Sequence, residues 1–354
     1  MAEILILATA GLKPDQLADT DHVRYPRVDY VELQRLVDAD VFDYSVYEHT
    51  RLGGFFRYLE TQLRSDLYLS LLGLLRKRRY RLVFAMSERA GIPFAALNRV
   101  LPNRKPLVSM FAAWSPRQES AIKRLNLFSS MDAIVVKCQS LKRHFVNLGV
   151  SAERVRVVPY GVDHRFFSPP ADVERQAGLA MSVGEVRGRD YATLLQAVDG
   201  LAMKLVVAAS GSWYAREKNR NLRIAVPENS IITERLPRAE LKKLYAQSQF
   251  IVLPLYDVPF SAGVTATLEA MCAGRAVIAT RSRGLLDYVV DGETGILVSP
   301  GDVGAMRDAI RDLLAHPKEA RRLGQNARQW IEEELGLDVY VERLARLLQA
   351  HLPL

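Results

Sequence analysis

Two stretches of this 354-residue chain place small-residue turns and charged side chains in a way that suits an anionic ligand. The first is Gly184-Glu185-Val186-Arg187-Gly188-Arg189-Asp190, which follows an apolar run and opens a helical pattern. Backbone N–H groups at a helix start, together with guanidinium forks, hold phosphate. The second is Tyr256-Asp257-Val258-Pro259-Phe260-Ser261-Ala262-Gly263-Val264-Thr265, followed by Leu268-Glu269-Ala270-Met271. A small-residue turn at a helix start lets backbone amides approach a ligand closely. Glu269, one turn inside, either accepts the paired hydroxyls of a ribose or is an ordinary solvent-facing helix glutamate. A third stretch, Ser87-Glu88-Arg89, follows another apolar run. Glu88 there either orients an acceptor hydroxyl or serves the cap of the next helix. Asp163 and His164 fall near the chain's midpoint, where a hinge and a solvated imidazole are the plain readings. The two cysteines, Cys138 and Cys272, cannot form a disulfide scaffold or a cysteine-only metal site, and each sits in an apolar run as a reduced thiol would.

These loops need elements to carry them. Runs rich in Ile, Val and Leu at 3–8, 81–85, 107–111, 133–137 and 155–158 read as buried parallel strands, with helical stretches between them. A second set at 179–183, 205–209, 231–232, 250–254 and 276–279 repeats the alternation. Strand–helix alternation in both halves predicts an α/β protein of two doubly wound parallel sheets, with ligands at the carboxyl ends of the strands. The double proline in Arg165-Phe166-Phe167-Ser168-Pro169-Pro170 marks the boundary, giving domains 1–168 and 169–336. Residues 337–354 form a last helix that can cross back to the first domain, after a break near Gly336. Residues 55–79 read as one helix with the stripe Leu59, Leu63, Leu67, Leu71, Leu75 and a basic end, Arg76-Lys77-Arg78-Arg79. That stripe either packs on the sheet or lies on anionic lipid.

Composition bounds the function. With 49% hydrophobic and 25% charged residues the chain is an ordinary globular one. No run approaches the 18 apolar residues of a membrane span. The first residues, with Glu3 and no basic leader, do not read as a secretory signal, so a cytoplasmic protein is expected. The net charge of +8 is unevenly placed: residues 51–168 hold 21 Lys and Arg against 7 Asp and Glu. An anionic partner for the first domain follows, or else a merely solvated basic face. Nucleic acid is not expected, since no recognition module accompanies the charge.

Several segments resemble the group 1, family 4-like glycosyltransferases, retaining enzymes of the GT-B class. They are Val158-Pro159-Tyr160-Gly161-Val162-Asp163 with Phe166-Phe167, Ser182-Val183-Gly184 with Arg189-Asp190-Tyr191, and Leu268-Glu269-Ala270-Met271 with Gly274 and 276–280. Asp291-Gly292, Thr294-Gly295 and Pro300-Gly301-Asp302 continue the match in order. The resemblance implies two Rossmann-like domains facing a cleft, a nucleoside diphosphate sugar donor, hexosyl transfer with retention, and no metal or other cofactor. It implies donor contacts at Gly184, Arg187, Arg189, Ser210, Gly211, Leu236, Ser261, Ala262, Gly263, Val264, Thr265 and Glu269. Arg189, Arg187, Ser261 and Glu88 are then the candidate catalytic residues, and Gly11, Ser87, Glu88 and Trp114 the acceptor side. The acceptor is unspecified, with an anionic or lipid-linked molecule at the inner membrane face compatible with the basic first domain. The sequence departs from the family at Ser261, where a first glutamate is usual, at Glu185, where an arginine is usual, and at Phe111-Ala112-Ala113-Trp114, where a histidine is usual. A GT-B protein that only binds a nucleotide sugar or a partner is therefore the alternative.

Overall fold

The computed structural model describes all residues except 1, 13, 20, 48–52, 64, 113–115, 185–188, 210–225, 234–235, 259 and 354. The chain divides into two compact units, one formed by Met1–His22, Arg27–Pro159 and Asp338–Leu354, the other by Val23–Pro26 and Tyr160–Leu337. Arg165–Pro170 thus lie inside the second unit.

Unit 1 holds a parallel sheet of β1 (Ile4–Leu7), β2 (Ala39–Phe42), β3 (Leu82–Ala85), β4 (Leu107–Phe111), β5 (Ala133–Val136) and β6 (Val155–Val157), in the order β2-β1-β3-β4-β5-β6. β1, β3, β4 and β5 are buried throughout, which is why they read as unbroken apolar runs. The short edge strand β2 did not, because Asp40 interrupts it; its carboxylate accepts the Tyr80 hydroxyl at 2.7 Å. The helices of this unit are α1 (Pro14–Leu17), α2 (Asp29–Val37), α3 (Gly53–Leu63), α4 (Leu67–Arg76), α5 (Glu88–Val100), α6 (Pro116–Arg124) and α7 (Gln139–Asn147).

The single helix expected over 55–79 is two, with a 3₁₀ turn at Lys77–Arg79. The break falls at Asp66, whose buried carboxylate must be satisfied. It takes Arg89 at 2.8 Å and the Tyr44 hydroxyl at 3.1 Å, while Glu60 accepts the Tyr68 amide at 2.7 Å. The expected stripe also points the other way. Leu69, Ser70, Gly73 and Leu74 are the packed face of α4, with Gly73 close enough that a Cβ would lie 3.1 Å from Leu7. Leu63, Leu71 and Leu75 face solvent, Leu75 at 78% exposure.

Unit 2 holds β7 (Leu179–Val183), β8 (Lys204–Ala208), β9 (Ser230–Thr233), β10 (Phe250–Leu253), β11 (Ala276–Thr280) and β12 (Ile296–Val298), all parallel, in the order β12-β11-β10-β7-β8-β9. Its helices are α8 (Tyr191–Val198), α9 (Arg238–Gln247), α10 (Val264–Cys272), α11 (Val303–Ala315) and α12 (Pro317–Trp330). The core of one face joins Leu194, Leu195 and Val198 of α8 to Val252, Ile278, Ile310 and Leu323. A last helix, α13 (Leu337–Gln349), follows a π turn at Ile331–Leu335. From Asp338 onward it belongs to unit 1, where Arg27 grips Asp338 at 2.6 and 3.2 Å and the Tyr340 hydroxyl meets Met110.

Candidate functional site

Three loops meet at the carboxyl edge of the unit 2 sheet. β7 ends into Gly184, β10 into Leu255, and β11 into Arg281–Gly284. An antiparallel bridge between Arg189 and Leu255, with the Asp190 amide on the Pro254 carbonyl at 3.0 Å, ties the first two together. A cleft at this edge, lined by Val183, Gly184 and Arg189, by Ala208, by Leu236, Arg238 and Leu241, and by Ser261, Gly263, Val264, Thr265, Ala266 and Glu269, has a volume of about 510 Å³, within the usual range for a small-molecule site.

Arg189 is the cation of this cleft and is only 8% exposed. Its Nε donates to the Val183 carbonyl at 2.9 Å, which aims the rest of the guanidinium across the loop. Both neighbouring positions must be glycine for it to lie there. A Cβ on Gly184 would stand 2.4 Å from Arg189 Nη2, and one on Gly263 would stand 3.2 Å from Nη1; both glycines have positive φ, at 131° and 80°. Gly263 is also the N-cap of α10, so the first amides of that helix open toward the same space. Val264, Thr265 and Ala266 line it. Ala262 does not: its amide is committed to the Phe260 carbonyl at 2.7 Å. The expected donor contact there is corrected accordingly.

Glu269 is not a solvent-facing glutamate. It is 5% exposed and lines the cleft one turn beyond these amides. One oxygen accepts the Tyr245 hydroxyl at 3.0 Å and the other the Arg238 guanidinium at 3.2 Å. Burial outweighs these partners and pushes its carboxyl up to about 7. Arg238 opens α9, reaches the cleft together with Leu236 and Leu241, and was not singled out from sequence. Its signal is only its place, the first residue of a helix that follows a strand.

Ser261 lines the cleft too, and its Oγ is buried without a hydrogen-bond partner among the described residues. The backbone around it is fixed by Gly284, where a Cβ would be 1.9 Å from the Phe260 carbonyl oxygen. Asp190 caps α8, accepting from the Thr193 amide at 3.2 Å and hydroxyl at 2.6 Å, and the Tyr191 hydroxyl holds the Gly184 carbonyl at 3.0 Å. These motif positions therefore set the loop rather than reach a ligand. Arg187, Glu185, Ser210, Gly211 and Trp114 lie outside the described residues.

Two family models cover most of the chain: "Glycosyl transferases group 1" matches residues 176–330, and "Glycosyltransferase Family 4" matches residues 26–166. The chain belongs to the group 1, family 4-like glycosyltransferases. Among curated relatives it is similar to an MMP alpha-(1->4)-mannosyltransferase of Mycolicibacterium hassiacum, 28% identical over 64% of this chain and 54% of the relative. It is also similar to a GDP-mannose-dependent phosphatidylinositol monomannoside mannosyltransferase of Mycolicibacterium smegmatis, 25% identical over 66% of each. The matched stretches thus span about half to two thirds of those relatives. Among solved structures, HepE of Anabaena, in complex with UDP and glucose, superposes with a TM-score of 0.72 at 15% identity, covering 99% of this chain and 100% of that one. The fold is GT-B.

In this family 4-like chain, unit 1 has its own polar cluster at the carboxyl edge. Ser87 caps α5 by accepting from the Arg89 amide at 3.2 Å, so the cap reading belongs to Ser87. Glu88, buried beside it, accepts the Ala112 amide at 3.2 Å. Lys137, just past β5, lies in the field of both Glu88 and Asp29, the first residue of α2. Burial drives both carboxyls up and the ammonium down, while each sign of charge opposes that drift in the other. Asp29 and Lys137 escaped sequence reading because neither sits in a recognisable motif. Gly11 is exposed and lies against Tyr44, where a Cβ would meet the Tyr44 Cβ at 3.2 Å.

Proposed function

We propose that the protein transfers a hexose-type sugar from a nucleoside diphosphate donor, with retention and without a metal ion. The observation that carries this reading is the cleft of unit 2, where Arg189, the α10 amides and Glu269 converge. In the proposed reaction the bond from sugar C1 to the diphosphate oxygen breaks, and its electron pair leaves with the phosphate. An acceptor oxygen bonds C1 from the same face, and its proton passes to the departing phosphate oxygen. Arg189 and the fixed amides stabilise the charge that develops on that leaving group without solvent reorganisation. Glu269 takes the ribose hydroxyls, Leu236 and Leu241 flank the base, and Ser261 stands beside the sugar.

The acceptor we propose is lipid-linked, reached by peripheral contact with an anionic membrane. Phe55, Tyr58, Leu63, Leu71 and Leu75 are exposed on α3 and α4, next to the basic run Arg76–Arg79. Among the described residues no helix is long and apolar enough to cross a membrane. Cys138 and Cys272 are both buried, and we assign the reaction to the cytoplasmic face.

The test is calorimetric titration of the protein with UDP-, GDP-, ADP- and TDP-sugars in the presence of a chelator. The expected result is saturable binding of one of them, followed by acceptor-dependent release of its nucleoside diphosphate with the α-anomeric configuration kept. Binding of none, or inversion at C1, overturns the reading.

A further inference from the structure

The amino edge of unit 2, at the opposite end of β7, β10 and β11 from the cleft, gathers three arginines that make no ion pair among the described residues. Arg275 immediately precedes β11, and Arg175 stands four residues before β7. Arg175 Nη2 and Arg275 Nη1 donate to the same oxygen, the Gly274 carbonyl, at 3.2 and 3.3 Å. Two guanidinium groups are thereby held within each other's field. Arg321 of α12 supplies a third. That helix comes so close that a Cβ on Gly324 would lie 2.3 Å from the Gly274 oxygen, and Arg321 precedes Gly324 by one turn on the same face. Arg321 is exposed, so the cluster opens to solvent on its side.

Packing alone does not account for this arrangement. Arg275 also donates to the Tyr245 and Ala246 carbonyls at the end of α9, and Gly274 lies just past the end of α10. A helix C-terminus offers about half a negative charge, so two of them offset roughly one of the three cations. None of the three makes an ion pair among the described residues, Asp172 and Glu174 on the same approach to β7 included. Arg175 Nη1 is buried without a hydrogen-bond acceptor among the described residues. Burial and the neighbouring Arg175 pull Arg275 down to about 10, and burial with Arg321 lowers Arg175. The cluster is therefore a place where a bound anion relieves both desolvation and like-charge repulsion.

We propose that Arg175, Arg275 and Arg321 form a second anion site, separate from the donor cleft, that takes a phosphate-class oxyanion. The source is either free phosphate or the phosphomonoester headgroup of a lipid. The site stands on charges of unit 2 alone and does not depend on the transferase reading.

The experiment is titration calorimetry of the full chain with inorganic phosphate at fixed ionic strength, for the wild type and for Arg189→Ala, Arg321→Gln and Arg175→Gln. Saturable binding is expected in the wild type, kept in Arg189→Ala and weakened at least tenfold in Arg321→Gln and Arg175→Gln. Arg321 is exposed, so its replacement leaves the core intact even if Arg175→Gln melts early. A second arm sediments the protein with phosphatidylcholine vesicles containing phosphatidic acid, against vesicles of equal charge made with phosphatidylserine. Selective co-sedimentation with phosphatidic acid, lost in Arg321→Gln, assigns the headgroup as the source; phosphate binding without it assigns the free ion. Absence of both overturns the proposal. So does binding that Arg189→Ala abolishes and the other two variants keep, because it then belongs to the cleft.

Discussion

Replacing Glu269 by glutamine should stabilise the ligand-free protein above neutral pH and at the same time weaken its hold on nucleotides. The carboxyl, ordinarily near 4.5, is held near 7 because burial outweighs Arg238 and Tyr245. Between those two pH values the unfolded chain releases this proton while the folded chain keeps it. Stability therefore falls with rising pH by about 1.4 kcal/mol per pH unit through that window and levels off above it, a total of roughly 3 kcal/mol. Glutamine has nearly the same shape, bears no charge, and can still accept from the Tyr245 hydroxyl. Arg238 loses its ion-pair partner, but at 42% side-chain exposure it stays hydrated. Most of the penalty should be relieved at pH 8, raising the melting temperature by roughly 5–10 °C for a unit of this size. At pH 5 the gain should shrink to under about 1 kcal/mol, because only about half a pH unit of that window has then been crossed. Differential scanning calorimetry of both proteins at the two pH values reads this directly. An equal difference at both pH values, or a lower melting temperature for the variant at pH 8, would refute the argument that a desolvated carboxylate is maintained at this position. Nucleotide affinity should fall in the same variant, since an amide cannot accept both ribose hydroxyls.

Three other perturbations address separate parts of the molecule. Arg189→Ala removes a charge-assisted contact valued at about 1.5–3 kcal/mol, so nucleoside diphosphate affinity should drop roughly 10- to 150-fold while the parent nucleoside is little affected; equal weakening of both would show that Arg189 does not meet phosphate. Gly284→Ala forces a methyl group onto the Phe260 carbonyl, where no flexible side chain can yield, and should cost about 1–3 kcal/mol in thermal melts; an unshifted melt would mean that the 260–261 backbone is not pinned. Leu71→Glu combined with Leu75→Glu should leave the melting temperature nearly unchanged, since both are exposed, and abolish flotation with anionic vesicles; retained flotation would remove α4 from the membrane surface.

The sheets were legible because buried parallel strands are continuous apolar runs, and all ten runs coincide with strands to within a residue or two. The edge strands β2 and β12 were not; Asp40 breaks the apolar run of the first. The α3–α4 break was hidden for a different reason. Periodicity reports that leucines share a face but not which neighbour that face meets, and the buried partners of Asp66 come from Tyr44 and Arg89, both distant in sequence. In the cleft of unit 2, Gly184, Arg189, Gly263 and Glu269 were readable because each occupies a fixed offset from a strand end or helix start. Arg238, Asp29 and Lys137 were not, because tertiary placement alone gives them their role.

Ser261 poses the sharpest question about chemistry, and the surrounding structure narrows its answer. Its Oγ is buried with no partner among the described residues, a condition that costs about 1–3 kcal/mol if nothing else satisfies it. The loop does not need the hydroxyl: Gly284 and the Ala262–Phe260 hydrogen bond already set the backbone there. Alanine at 261 should therefore leave the ligand-free melting temperature unchanged or slightly higher. If the missing partner is the donor sugar, the same variant should lose stabilisation by a nucleotide sugar but not by the bare nucleoside diphosphate, because only the sugar reaches Oγ. Thermal shifts with matched pairs, such as a nucleotide sugar against its diphosphate, separate the two contributions by mass action. Equal loss with both ligands, or a marked drop in ligand-free stability, would show that the serine serves the loop and not the sugar.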